Sequence, residues 1–341
     1  MKTATLLKSL LAALALTAAH AAQASEPIVL RVHHFLPPGS LAQSKMIEPW
    51  CAKINQESEG RLKCQIYPSM QLGGTPNQLF DQVKDGVADV IWTLPGYQPD
   101  RFPMTEVFEL PFMTTSGEKA SRALWEFVSK YARNEYKGIK PLAFHMHDGA
   151  QLHMAKKLIK TLDDFKGLKL RAPTRQSAKL IEALGATAVP LPMPQVPEAI
   201  ARGIIDGAPL PWEVVPTLKI EEVARFHSET PIGVPSLANY VYLLAMNPAK
   251  YESLPEDLKK VINANSGANT SAWAGKVWDD SRASFRQVAI DQKNTFYEIP
   301  VEEIRKWEAA TASVSTEWVK TMNAKGYDGN RILSDAKRLL E

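Results

Sequence analysis

Cysteine is scarce, with 2 residues in 341, and a surplus of either charge is missing as well. Taking Lys2 and Lys8 out with an N-terminal leader reduces the 40 lysines and arginines to 38, against 37 acidic residues. A balance that close carries no electrostatic footprint for nucleic acid. No GxSxG elbow, Walker lysine loop or GxGxxG fingerprint occurs anywhere in the chain. A single SxxK, Ser116 to Lys119, stands without the partner motifs that would give it a catalytic meaning. No HExxH and no cysteine-rich ligand set is present either, and no carboxylate pair or nucleophile–base pair can be placed by spacing. The absences argue for binding rather than turnover.

The N-terminus is informative. Lys2 and Lys8 precede an apolar run from Leu10 to Ala19, and Ala22-Gln23-Ala24 supplies small residues around a cleavage point. The run is too short for a span of about 20 residues, so it reads as a secretory signal cut after Ala24. Nothing downstream reads as membrane-spanning, so the mature protein is expected to be exported, to the periplasm. In an oxidising compartment the even cysteine count suggests a bridge. "QSKMIEPWCAKINQESEG" reads as an amphipathic helix ended by Gly60, and "RLKCQIYP" as the strand after it. The helix descends roughly 10 Å from Cys51 and the strand climbs back a similar distance to Cys64, so the two sulfurs can meet. Two buried free thiols are the alternative.

About 317 residues remain after cleavage, more than one comfortable core, so two lobes are expected. "PIVLRVHHFLPPGS" is a buried strand running into a Pro-Gly loop. In "GGTPNQLFDQVKDGVADVIWTLPGY" a capped helix ends at Gly86 and a strand follows; "PMPQVPEAIARGIIDGAPLPW" repeats that pattern with Gly203 and Asp206. The alternation of strands and helices predicts parallel sheets and an α/β fold. "LPEDLKKVINANSGANTSAWAGKVWDDSRASFRQVAIDQKN" reads as helix for most of its length, long enough to span both lobes. The lobes divide as residues 25–148 with about 237–277, and 149–236 with about 278–325, leaving a C-terminal helix from about 326 to 341. In open sheets a ligand lies off the carboxyl ends of the strands, which places Leu94, Asp148, Arg171 and Leu210 along a cleft.

Arg171 closes the strand-like run "GLKLRAP". Leu168 and Leu170 alternate toward a core, Arg171 faces the other way, and Pro173 stops the strand. His145, His147 and His153 lie at strand spacing, and a zinc site or metallohydrolase built on them is the reading from another class. Ordinary hydrogen-bonding histidines are the simpler one.

Five stretches in order, "YPSMQLGG", "QLFDQVKDGVADV", "TLDDFKGLKLRAP", "GATAVPLPMPQVPEAIARGIIDG" and "LPEDLKKVI", resemble the solute-binding subunits of tripartite ATP-independent periplasmic (TRAP) transporters, of the dicarboxylate- and sialate-receptor type. The resemblance covers nearly the whole mature chain. It implies a two-lobe periplasmic-binding-protein-like fold whose cleft closes on an organic acid and delivers it to the membrane permease subunits, without a cofactor. It also implies that Arg171 pairs with the substrate carboxylate, a role for which the planar guanidinium fork is well matched.

Departures from the family pattern point to the ligand. Sugar-acid members often carry a second arginine where this chain has Gln151. Cleft positions that are polar in such members fall on Phe35, Leu94 and Leu210, flanked by Trp92 and Trp212. Each buried sugar hydroxyl left unpaired costs about 1–3 kcal/mol, which this cleft cannot offset. Apolar walls around one cation suit an aromatic or hydrophobic monocarboxylate, with Gln151, His34, Asn239 and Tyr240 available for a further substituent. The alternative is a small 2-oxo or 2-hydroxy acid whose extra oxygen is met by Gln151 and His34.

Overall fold

The computed structural model describes residues 26–341, so the signal sequence and its cleavage after Ala24 lie outside the described residues. The strands are β1 (Ile28–His33), β2 (Leu62–Tyr67), β3 (Val90–Thr93), β4 (Lys140–His145), β5 (Gln151–Met154), β6 (Lys169–Arg171), β7 (Thr187–Val189), β8 (Gly207–Leu210), β9 (Phe226–Glu229), β10 (Tyr242–Met246) and β11 (Thr295–Glu298). They form two sheets, one in the order β2-β1-β3-β10-β4 and one in the order β11-β9-β5-β8-β6-β7. Each sheet is the centre of one lobe, with helices over its faces, as an α/β sheet buried on both sides requires.

The sheets are not purely parallel, contrary to the sequence expectation. β10 runs antiparallel to β3 and β4, and β5 runs antiparallel to β8 and β9. The physical cause is the path of the chain. It leaves the first sheet after β4 to enter the second as β5, and returns after β9 as β10, so neither strand arrives by a same-sheet helical crossover that would enforce parallel pairing. The two crossings lie side by side, with the Ala150 N–H donating to the Ala238 carbonyl at 2.9 Å. Gly149 adopts φ +94°, and a Cβ there would meet Ser236 on the other crossing.

The long helix is also shorter than its sequence suggests. It breaks into Glu256–Ala264 and a 24-residue segment, Ala268–Asp291. Gly267 takes φ +97° and spends its N–H on the Leu142 carbonyl at 2.8 Å, while the Trp50 indole holds the Asn265 carbonyl at 2.9 Å. Tertiary hydrogen bonds to a left-handed glycine thus outcompete continuation of the helix. The segment still bridges the lobes. Trp278 packs on Trp92 from β3, and Arg286 forms a bidentate pair with Glu229 from β9.

Cys51, in the helix Glu48–Glu57, is bridged to Cys64 of β2 across a Cα separation of 5.8 Å. The bond closes a loop with a sequence separation of 13, worth about 3 kcal/mol in the chain-entropy account. Reduction, or the Cys51→Ala/Cys64→Ala pair, is expected to lower the melting temperature by about 5 °C for a chain of this size. Equal melting curves with and without reductant would show that the bridge adds nothing.

Candidate ligand-binding site

β6 places the cation. Leu170 and Arg171 pair with Ala188 and Val189 of β7, and Leu170 also faces Gly207 of β8. The Ala172 N–H continues the ladder to the Val189 carbonyl before Pro173 ends it. Thr174 then caps the helix Arg175–Ala183 in a capping box with Ser177. Arg171 therefore sits at the carboxyl end of its strand, where open α/β sheets hold ligands.

Its surroundings are apolar. A cavity between the lobes is lined by Phe35, Leu36, Trp92 and Leu94 from the first lobe and by Met193 and Pro211 from the second, with Tyr97, Tyr240, Tyr242, Val214 and Arg171. The cavity is a narrow slot with a volume of about 280 Å³. Phe35 and Trp92 stack with centroids 5.0 Å apart, and Trp92 lies parallel to Tyr242 at 5.0 Å with 6° between planes. The Trp92 indole donates to Nε2 of His145 at 2.8 Å, which fixes the wall from behind. Trp278 donates in turn to Glu213 at 2.8 Å. Burial pushes the Glu213 carboxyl up to about 8, so it stays protonated at neutral pH.

Arg171 is 2% exposed. Its Nε donates to the Leu191 carbonyl at 3.0 Å and Nη2 to the Tyr97 hydroxyl at 3.4 Å. Among the described residues no carboxylate forms an ion pair with it. A buried cation without a counter-ion is costly, and an anion entering the slot removes that cost.

Of the residues singled out from sequence, the cavity gathers Arg171, Phe35, Trp92, Leu94 and Tyr240. It does not gather the other five. Gln151 accepts the Thr230 N–H at 2.7 Å, joining the two crossings. His34 donates from Nε2 to Gln43 at 2.9 Å, and burial lowers its pKa to about 4. Asn239 braces the crossings through the His147 backbone. Leu210 and Trp212 turn into the second lobe's core, where the Trp212 indole donates to Glu229 and its ring meets His153, His227 and Phe296. The cavity also takes in Leu36, Tyr97, Tyr242, Met193, Pro211 and Val214, none of them singled out from sequence. The Pro-Gly-Tyr stretch after β3 is the strand-end signal that could have found Tyr97.

The three histidines of the zinc reading do not converge. His145 is tied to Trp92, His147 takes the Gly149 N–H, and His153 pairs with Nδ1 of His227 and the Leu210 carbonyl. Among the described residues no group of three or more His, Cys, Asp or Glu is arranged to hold a metal. A larger cavity of about 530 Å³ lies beside the crossings, lined by Asp148, Glu229, Arg282 and Arg286. Its cations already face carboxylates, Arg286 at 2.7 Å from Glu229 and Arg282 at 3.9 Å from Asp148 and Glu229, so it presents no unmet charge comparable to Arg171.

The family model for bacterial extracellular solute-binding proteins, family 7, matches residues 32–321. The chain belongs to this family, the solute receptors of TRAP transporters. It is similar to a TRAP solute-binding protein from Rhodoferax ferrireducens in complex with copurified benzoate, at 47% identity and a TM-score of 0.90 over 92% of this chain and 97% of that one. A marine-metagenome TRAP solute-binding protein specific for aromatic acids, in complex with 3-hydroxybenzoate, is 41% identical with a TM-score of 0.90 over 93% and 98%. A TRAP periplasmic protein from Bordetella bronchiseptica with bound (R)- and (S)-mandelate is 26% identical with a TM-score of 0.85 over 92% and 99%. This TRAP receptor has, among its described residues, no helix long and apolar enough to cross a membrane. Its family delivers solute to separate permease subunits.

Proposed function

We propose that the chain is the periplasmic receptor for an aromatic monocarboxylate of the benzoate type, held at its carboxylate by Arg171, with Phe35, Trp92, Leu94 and Tyr240 forming the site. Its signal sequence directs export and is cleaved after Ala24, and the protein carries out no catalytic step. The observation that carries the reading is the unpaired guanidinium at the end of β6 inside an aromatic, narrow slot. The guanidinium asks for a carboxylate, and the aromatic and aliphatic lining of Phe35, Trp92, Leu94 and Met193 asks for an apolar body. The Rhodoferax and metagenome relatives bind such acids, which supports the same class here. A small 2-oxo or 2-hydroxy acid would need Gln151 and His34 for its extra oxygen, and neither lines the slot.

Thermal unfolding against benzoate, hydroxybenzoates, mandelate, short 2-oxo acids, dicarboxylates and sugar acids tests this. At a hundredfold its dissociation constant, benzoate is expected to add about 2.7 kcal/mol, a melting shift of about 4 °C. Sugar acids and dicarboxylates are expected to give none. A shift confined to those two groups would keep the receptor and overturn the ligand class.

A further inference from the structure

Tyr97 hangs from the short turn Pro95–Tyr97 after β3, in the first lobe, yet its hydroxyl works in the second. The oxygen accepts the Met193 N–H at 3.0 Å and Nη2 of Arg171 at 3.4 Å. A phenol has two acceptor lone pairs and one proton. Both lone pairs face donors, so the proton is left to point elsewhere, and among the described residues nothing accepts it. Tyr97 is 5% exposed and lines the same slot as Arg171. Two buried donors, a guanidinium and a phenol, thus lack an acceptor in one place. A carboxylate has two oxygens to offer them.

We infer that Tyr97 is the second carboxylate donor and the residue that couples ligand capture to closure of the lobes. The inference rests on the reading of the slot as an aromatic-acid site. One carboxylate oxygen takes the Arg171 fork and the other takes the Tyr97 proton. Because the two side chains come from opposite lobes, the acid is gripped from both sides only when the cleft is shut. The neighbouring backbone is built for that approach. A Cβ on Gly96 would lie 2.5 Å from Cγ2 and 3.0 Å from Cβ of Thr174 in the other lobe, so a side chain there would hold the lobes apart. Burial raises the Tyr97 pKa against the opposing pull of Arg171, so the phenol keeps the proton it is to donate.

Tyr97→Phe tests the role, since it keeps the ring that meets Phe35 edge-on at 5.7 Å and removes only the hydroxyl. Stopped-flow binding of benzoate is expected to show dissociation about tenfold to a hundredfold faster, the range for a hydrogen bond to a charged group. Association is expected to stay within about twofold, because the contact forms on closure, after encounter. The asymmetric carboxylate stretch of bound 13C-carboxyl benzoate is expected to move between wild type and variant. A purely structural hydroxyl would weaken binding without moving that band. An unchanged dissociation rate, or faster dissociation with an unmoved band, overturns the role of Tyr97 and leaves the site reading standing. Failure of the wild-type protein to bind benzoate overturns both.

Discussion

Arg171→Met is expected to lower affinity for benzoate by at least about a hundredfold while leaving the unliganded protein as stable as before, or more so. The affinity loss follows from removing one partner of a desolvated charge pair, which costs about 3–5 kcal/mol, and 1.4 kcal/mol is a factor of ten. The stability expectation follows from the same burial. In the closed arrangement the guanidinium is 2% exposed and spends its protons on one carbonyl and one phenol. Neither carries a negative charge, so desolvation of the cation is poorly compensated without an anion. Methionine follows the arginine stem as far as Nε and, being flexible, packs readily beside Met193, Leu94 and Tyr97, which already line the slot. Arg171→Lys is the informative intermediate, since it keeps the charge and loses the planar fork. Melting curves and calorimetric titration with benzoate check all three proteins. A lower melting temperature for Arg171→Met with benzoate affinity retained would make the arginine a structural residue and end the receptor reading of this slot.

Much of this site was legible because strand ends announce themselves. Arg171 precedes a proline that can neither extend the ladder nor open a helix comfortably, and Phe35 and Leu94 follow strands into Pro-containing loops. The failures are as physical as the successes. Leu210 and Trp212 share one parity along the strand that leaves β8, and sequence alone does not say which parity faces the slot. The structure gives the slot to Pro211 and sends its two neighbours into the core beside His153 and Phe296. That is the one-residue ambiguity inherent in a period of two. Gln151 and Asn239 fail for a different reason. They sit where the chain crosses between sheets, and their amides are consumed by the other crossing, a contact set by topology rather than by local pattern. The same topology explains the antiparallel β5 and β10.

The wall of the slot links the site to the lobe-bridging helix. Trp92 packs against Phe35, Tyr242, His145 and Trp278. Trp278 belongs to Ala268–Asp291, whose Arg286 holds Glu229 in the second lobe. A ligand that packs against Trp92 therefore presses on a layer continuous with the element common to both lobes. Packed cores of this kind shift between arrangements rather than deform smoothly, which suits a receptor with an open and a closed form.

The melting temperature is expected to peak near pH 6 and to fall on both sides, because the interior holds two opposed sets of titrating groups. Burial depresses His34 and His153 to about 4, His145 to about 3 and His227 to about 2, and it holds His147 well below the ordinary histidine value. Histidines with folded values below the unfolded value of about 6.5 contribute stability that is present above that pH and lost as pH falls. Burial raises Glu109 and Glu213 to about 8, and Asp148 and Glu135 to about 7. Carboxyls with folded values above the unfolded value of about 4 contribute stability that is present below it and lost as pH rises through 7 and 8. Each group can change stability by at most about 1.4 kcal/mol per pH unit. Between about pH 4.3 and 6.5 the depressed histidines and the raised carboxyls oppose one another, so the curve is shallow. Above pH 6.5 the raised carboxyls dominate and stability falls; at lower pH the histidines dominate, joined by ion-paired carboxylates such as Glu57 and Asp257 whose values are lowered, and it falls in the other direction. Glu109→Gln and Glu213→Gln, which keep the acceptors for the Val241 N–H and the Trp278 indole, are expected together to make the alkaline slope clearly shallower and leave the acid limb unchanged. Calorimetric scans from pH 4 to 9 decide it. A melting temperature that climbs steadily to pH 8, or an alkaline limb untouched by the two substitutions, would show that these carboxyls are ionised in the folded protein.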